Sequence, residues 1–306
     1  MKIEDGLLLL DKPIGPTSHD VVQHVRRVLG LRRVGHAGTL DPPASGLLPI
    51  VLGRATRLVR FLPDGPKCYV GALRLGVTSL TDDASAPPRA RFDGPLPSPS
   101  MVVTAAAKLE GAQLQVPPAI SARRVGGERL YRLNRTAPIV EGPARPVVVS
   151  QFRVYGSGTS DVYDLEAVVS AGTYVRALVR DLGALLGCGA VLIALRRTAI
   201  GPFRVENAIT PPGSADPEAA SVLGASILPV DRIPLWPQDY RIEQSTDERR
   251  FVSGMAVDAA DGGGPPGIRS VSAADGRRVG IGTLGGGRLR PLIVLVPPAD
   301  VVDQGG

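Results

Sequence analysis

The chain is poor in the residues that build metal centres and disulfide frameworks: its 306 residues include two cysteines and three histidines. Cys68 and Cys188 lie far apart and form no C-x-x-C pair. That excludes a disulfide scaffold and fits a reducing compartment. A zinc site would need an unusual donor set, and no metal is expected. Lysine stands only at positions 2, 12, 67 and 108, so arginine supplies the other 31 of the 35 basic side chains. The first apolar run, Leu7 to Leu10, stops at Asp11-Lys12-Pro13. It is too short for a signal-peptide core or a membrane span. A cytoplasmic protein without membrane association is expected.

What is present points to an ordered, basic protein. Hydrophobic residues make up 43%, enough for a sizeable core and against wholesale disorder. The length suggests about two domains. With 37 Gly and 29 Pro, many turns and some loose segments are expected. The net charge is +6, the electrostatic footprint of a phosphate-rich partner. The arginine bias adds planar, bidentate phosphate recognition, although a GC-rich genome explains the bias equally simply.

Leu7 to Leu10 reads as a short buried strand. Thr17-x-x-Asp20 resembles a capping box, and Val21, Val22, Val25, Val28 and Leu29 repeat at helical spacing before Gly30. A second short helix is expected over 54–62 and a strand over 69–75. Residues 81–100 read as a mobile loop, and 101–111 as a helix. Residues 147–154 and 162–170 read as paired strands. The clearest helix is 174–186, with Tyr174, Val175, Leu178, Val179, Leu182, Leu185 and Leu186 on one face. On it Arg176 and Arg180 stand four apart, which suits either two solvated side chains or two that await acidic groups or phosphates. After Pro234 the texture changes: residues 279–284, a Gly285-Gly286-Gly287 turn and residues 289–296 form a hairpin signal.

The densest chemistry lies in Arg33-Val-Gly35-His36-Ala-Gly38-Thr39-Leu-Asp41-Pro42. A carboxylate in a glycine- and proline-restrained loop can be a nucleophile, a base or a turn former. His36 is either structural or part of the same cleft. No phosphate-binding P-loop pattern occurs.

This stretch and its continuation to Arg57 resemble the catalytic motif of the bacterial tRNA pseudouridine-55 synthases, the TruB family. Further motifs follow in family order over about residues 5 to 205. They are Lys12-Pro13-Ile-Gly15-Pro-Thr17-Ser18, Lys67-Cys68-Tyr69, Gly172-Thr173-Tyr174-Val175-Arg176, and Leu195-Arg196-Arg197-Thr198. Pro117-Pro118 to Tyr131 resembles the family's RNA-binding segment. Pro43, Ser45, Ser85-Ala86 and Asn134 depart from the usual residues.

The resemblance implies isomerisation of a uridine in the tRNA T-loop to pseudouridine, with the base flipped out of its stack and no cofactor. It implies Asp41 as the catalytic carboxylate, attacking C1′ or removing the 2′ proton. Tyr69 would be an aromatic face for the uracil, Arg176 a partner of Asp41, and Leu195 an apolar floor. His36, Lys12, Asp83 and Arg180 are expected to contact substrate, and Arg123, Arg124 and Arg129 the tRNA phosphates. The implied fold is α/β, a pseudouridine synthase domain with a mixed central sheet over residues 1–234. A β-rich, PUA-like RNA-binding module over 235–299 and a flexible tail, 300–306, follow. The implied partner is the T-arm of tRNA, met by a monomer with no obligatory protein partner. An RNA-guided synthase with accessory proteins, and a non-catalytic RNA-binding or RNA-folding factor, are the rival readings.

Overall fold

The computed structural model describes residues 5–120, 142–213, 215–259 and 264–297, together with the backbone of 124–125 and 128–129. Strand β1 (Gly6–Lys12) pairs antiparallel with β3 (Ala44–Leu52). Both are leucine-rich and buried on both faces, as expected of central strands: Leu7, Leu8, Leu10, Leu47, Leu48 and Ile50 are inaccessible to solvent. Between them, helix α1 (Ser18–Leu29) begins at a true capping box. Thr17 Oγ1 accepts from the Asp20 N–H at 3.1 Å, and the Thr17 N–H donates to Asp20 Oδ2 at 2.8 Å. Gly30 ends the helix at φ 64°, a left-handed cap. The buried stripe Val21, Val22, Val25 and Leu29 packs on Leu8, Leu10, Leu48 and Ile50.

The remaining strands of the large sheet are β2 (Val34–His36), β4 (Lys67–Leu75), β7 (Gly111–Gln115), β10 (Arg145–Gly156), β11 (Val162–Val169), β12 (Ala190–Ile200), β13 (Phe203–Arg204) and β14 (Leu228–Pro229). The order is β14-β1-β3-β12-β4-β11-β10-β7, with β2 on β3 and β13 on β12. One pair, β3 with β12, is parallel and joins Ala44 to Leu195 and Gly46 to Arg197; the sheet is therefore mixed. Gly46 makes this junction possible. It has φ +104°, and a Cβ there would lie 2.2 Å from the Arg197 carbonyl oxygen. Helices α2 (Pro99–Ala107) and α3 (Val175–Leu186) bury Val102, Leu178, Val179 and Leu182 against Leu73, Phe152, Leu165 and Leu192.

The short helix expected over 54–62 is a 3-10 helix, Gly53–Phe61, whose buried residues Ala55, Leu58 and Phe61 recur every third position, the period of that helix. Two expectations are corrected. Residues 81–100 are not a free loop: β5 (Val77–Ser79) pairs with β6 (Pro88–Arg91), and α2 starts at Pro99. Leu185 is exposed. The helix approaches the sheet through Gly183, where a Cβ would meet the Ala190 nitrogen at 2.2 Å, and Leu185 lies about 200° further round.

The second sheet contains β15 (Gln238–Ile242), β16 (Val257–Asp258), β17 (Gly267–Ala273), β18 (Arg278–Gly285) and β19 (Arg288–Val294), ordered β15-β17-β18-β19-β16. Its core gathers Ile242, Phe251, Val271, Val279, Leu284 and Leu289. It is fastened to the first sheet at the 3-10 helix. Trp236 donates its backbone N–H to Phe61 O at 3.0 Å and its indole N–H to Arg60 O at 3.2 Å, and its ring lies tilted against that of Phe61 with centroids 6.0 Å apart. Arg57 donates to Val294 O at 2.7 Å. Among the described residues no helix is long and apolar enough to cross a membrane.

Candidate active site

Asp41 stands in the loop that enters β3, and that loop is clamped from several sides. Arg197, almost wholly buried, donates from Nε to Leu47 O at 2.9 Å, from Nη1 to Thr39 O at 3.1 Å and from Nη2 to Gly38 O at 2.8 Å. Ser18 Oγ accepts from Leu40 N at 2.9 Å and donates to Leu40 O at 3.0 Å. Lys12 Nζ donates to Pro13 O, Pro16 O and Pro42 O at 2.8, 2.9 and 3.4 Å. A carboxylate on so restrained a backbone keeps one position, as directed chemistry requires.

Strand alternation supplies the walls. Lys67 and Tyr69 on β4 share a face, as do Leu195 and Arg197 on β12. With Thr39, Leu40, Asp41, Ala44 and residues Gly172 to Arg176 they line a cleft of about 420 Å³. Gln115, at the end of β7, fixes the start of α3 by accepting from Tyr174 N at 2.9 Å and donating to Tyr174 O at 3.1 Å. Arg176 then lies in the first turn, facing the Asp41 loop.

Arg176 Nη2 is 2.9 Å from Asp41 Oδ2, with the arginine side chain 6% exposed and the aspartate 38%. Protein acceptors also hold Nη1, which gives to Thr81 O at 2.6 Å, and Nη2, which gives to Ile120 O at 3.3 Å, whereas Nε makes no hydrogen bond and faces Asp83 Oδ2 at 3.7 Å. The guanidinium is thus a buried brace with one corner turned to a carboxylate that itself opens on the cleft. The contact is single, not a two-bond fork. Such an arrangement presents an aimed, charged oxygen beside an aromatic face and an aliphatic floor, a slot for a planar ring attached to a reactive carbon.

None of the four other expected substrate contacts, Lys12, Asp83, Arg180 and His36, lines this cleft, although Asp83 lines an adjoining hollow with Asp41, Arg176 and Leu195. Lys12 is inaccessible to solvent and spends its ammonium on the three carbonyls. Burial outweighs the attraction of Asp41 and, with Arg197, pushes its pKa down to about 8. Asp83 is buried, accepting from Thr81 Oγ1 at 2.7 Å and Ser85 N at 3.0 Å behind Arg176. Arg180 pairs with Asp82 at 3.2 Å and Asp181 at 2.9 Å, and donates to Val116 O at 2.9 Å. His36 sits on β2 opposite Ile50, outside the cleft lining, with Nδ1 buried and unbonded. Burial first, then the Arg197 and His19 charges, lower its pKa. Arg123 lies outside the described residues. Arg124 and Arg129 face each other in a two-stranded ladder, β8 (Arg124–Val125) with β9 (Glu128–Arg129), whose side chains are likewise outside them.

The profile of the TruB family pseudouridylate synthase N-terminal domain matches residues 26–175, and that of the tRNA pseudouridylate synthase B C-terminal domain matches 176–233. A protein of Thermobifida fusca (strain YX), named tRNA pseudouridine synthase B, is 39% identical over 297 residues, covering 95% of this chain and 98% of its own. The chain belongs to the TruB family of pseudouridine synthases. A relative of the same name from Mycolicibacterium paratuberculosis (strain ATCC BAA-968 / K-10) is 40% identical with the same coverage. Among solved structures, an H/ACA RNP bound to a substrate RNA containing 2′-deoxyuridine superposes with TM-score 0.69 at 25% identity, over 97% of this chain and 86% of that one. A Cbf5-Nop10-Gar1 complex gives 0.68 at 26%, over 97% and 87%.

Within this family member, two cleft residues carry more than their motifs suggested. Arg197, quoted only as part of a motif, fixes the Asp41 loop; the signal was an arginine next to Arg196 on an otherwise apolar strand. Strand alternation sends Arg196 to the other face, where it grips Asp11 at 2.9 and 2.7 Å. Lys67 lines the cleft itself.

Proposed function

We propose that the protein isomerises the uridine at position 55 in the T-loop of tRNA to pseudouridine, with Asp41 as the catalytic carboxylate. The observation that carries the reading is the Asp41–Arg176 contact at 2.9 Å at the edge of a cleft walled by Tyr69 and Leu195. A uracil can reach that cleft only after leaving its stack, at a cost of a few kcal/mol. Tyr69 offers it a π-face and Leu195 an apolar floor, contacts that replace the lost stacking. Asp41, held by Arg176, then acts at the sugar, attacking C1′ or removing the 2′ proton. Either route breaks N1–C1′ and frees the uracil to turn within the cleft. Rejoining through C5 consumes no external reagent. The membership of the TruB family and the name tRNA pseudouridine synthase B carried by the Thermobifida relative support the substrate assignment.

The RNA approaches across a basic surface. Arg123, Arg124 and Arg129, in the segment from Pro117 onward, are assigned to tRNA phosphates. Residues 235–299 are assigned to a PUA-like RNA-binding module beyond a catalytic domain of residues 1–234, with 300–306 a tail. The protein acts as a cytoplasmic monomer, without a protein partner or guide RNA. Incubation of the purified chain with unmodified tRNA, without added metal or nucleotide, followed by mapping of pseudouridine, tests the activity, its target and its independence of a guide or partner. A single modified T-loop uridine is the expected result. Absence of product until an accessory RNA or protein is added would favour the guided reading.

A further inference from the structure

The cleft carries three cations, and two are already committed. Arg197 gives its nitrogens to Leu47, Thr39 and Gly38, and Arg176 gives its own to Thr81, Ile120 and Asp41. Lys67 is different: no hydrogen bond or ion pair among the described residues engages its ammonium. It opens β4, half-buried, two residues before Tyr69 and on the same face. The charges that reach it are Arg197, of like sign, and Asp64, of opposite sign. Burial first and then Arg197 lower its pKa, and Asp64 opposes them. A half-buried cation facing a second cation costs the free protein stability, and an incoming anion removes that cost.

The position of Lys67 says which anion. Lys67 also lines a second cleft, of about 240 Å³, with Gly38, Pro49, Arg60, Leu62 and Phe203 among its walls. It therefore stands on the divide between the two hollows. The second hollow is walled largely by apolar side chains and is large enough for a nucleobase, and Arg60 and Asp64 both stand at its wall. An RNA chain that drops a uridine into the first hollow must carry its backbone over the rim, and a phosphodiester joins that uridine to each neighbour. A compact, strongly hydrated ammonium suits a phosphate as a point charge.

We propose that Lys67 binds the phosphate that links the target uridine to an adjacent nucleotide, which sits over the second cleft. This rests on the functional reading above and adds a backbone subsite to it. The step is binding alone, with no bond made or broken by Lys67.

The test uses the full chain and a T-arm stem-loop RNA. Each phosphate flanking the target is replaced in turn by a neutral methylphosphonate. The residue on its 5′ side carries 2′-O-methyl, and a control carries the same sugar with an ordinary phosphate. For the natural protein, one of these replacements should weaken binding by about tenfold, the scale of one charge-assisted contact. Lys67→Met should weaken binding of the control RNA by a similar factor and flatten the salt dependence by about 0.7–0.9 of a log–log unit. The sensitive methylphosphonate should then cost Lys67→Met nothing further. Lys67→Arg, which keeps the charge, should retain the sensitivity. Comparable thermal melting of the two variants separates the effect from misfolding. Additive losses, with every methylphosphonate costing Lys67→Met what it costs the natural protein, would overturn the assignment. So would a loss confined to the single-turnover rate at saturating enzyme, which would place Lys67 on the leaving uracil. Because binding is read apart from product, a protein that bound the RNA but made no pseudouridine would refute the functional reading and leave the phosphate contact standing on its own data.

Discussion

Arg176→Met deletes the guanidinium while keeping an apolar stem of similar length, and the structure separates its two consequences. The first is on stability. Asp83, with its side chain 7% exposed, loses the cation 3.7 Å away. A buried carboxylate stripped of its partner costs about 3–5 kcal/mol. The lower end applies here, because Asp83 keeps its bonds from Thr81 and Ser85. Adding Asp83→Asn removes the stranded charge, so the double variant should recover most of that loss. The second consequence is on rate. Asp41 loses one charge-assisted hydrogen bond, worth about 1.5–3 kcal/mol. At about 1.4 kcal/mol per factor of ten, that is a fall of roughly 10- to 150-fold in the chemical step. Asp83→Asn cannot restore it. The assay is tritium release from C5 of uridine-labelled tRNA at saturating enzyme, run beside urea midpoints for the single and double variants. A double variant whose single-turnover rate lies within threefold of the natural protein would refute the brace. Arg176→Lys should also fail, because a compact ammonium lacks the rigid planar fork that spreads donors to Thr81 O, Ile120 O and Asp41 Oδ2.

Lys12→Met should destabilise the protein by about 1–3 kcal/mol, since carbonyls of Pro13, Pro16 and Pro42 lose their donor. The salt slope of tRNA binding should stay unchanged; a flattened slope would restore Lys12 to the RNA surface. His36 resists protonation in the folded protein, whereas the unfolded chain takes the proton at about pH 6.5. Its contribution to stability is therefore complete above pH 6.5 and is lost as pH falls through the lower folded-state value. In urea melts across that window His36→Gln should show a shallower decline, and parallel profiles would contradict this. Gly46→Ala should cost about 3 kcal/mol or more by forcing the β3–β12 junction apart, and a soluble variant with a native melting temperature would contradict it.

Local signals were legible and long-range ones were not. Thr17, Asp20 and Gly30 announced α1 because a capping box and a left-handed cap are written within a few residues. The glycine turn announced the β18–β19 hairpin for the same reason. Nothing local marks the parallel pairing of β3 with β12, residues apart by most of the domain. Asp83 and Arg180 resemble RNA-facing charges in sequence, because their long-range partners Arg176 and Asp82 lie 93 and 98 positions away, and only Asp181, the other partner of Arg180, is a neighbour. Lys12 lies next to Pro13 in a motif that resembles the family's, yet its burial depends on Pro42 of a loop thirty residues later. The cleft set of Asp41, Tyr69, Arg176 and Leu195 was reached through motif resemblance. Their convergence follows from strand alternation on β4 and β12 and from the first turn of α3, which only the sheet order reveals.

The central claim is that Asp41 performs the chemistry in a slot that binds the flipped uridine. Asp41→Asn keeps the side chain's shape and removes its charge. Single-turnover conversion of unmodified tRNA, measured beside tRNA affinity, is the direct test. The account predicts that affinity stays close to that of the natural protein while pseudouridine formation is abolished. Near-normal conversion by Asp41→Asn would contradict it.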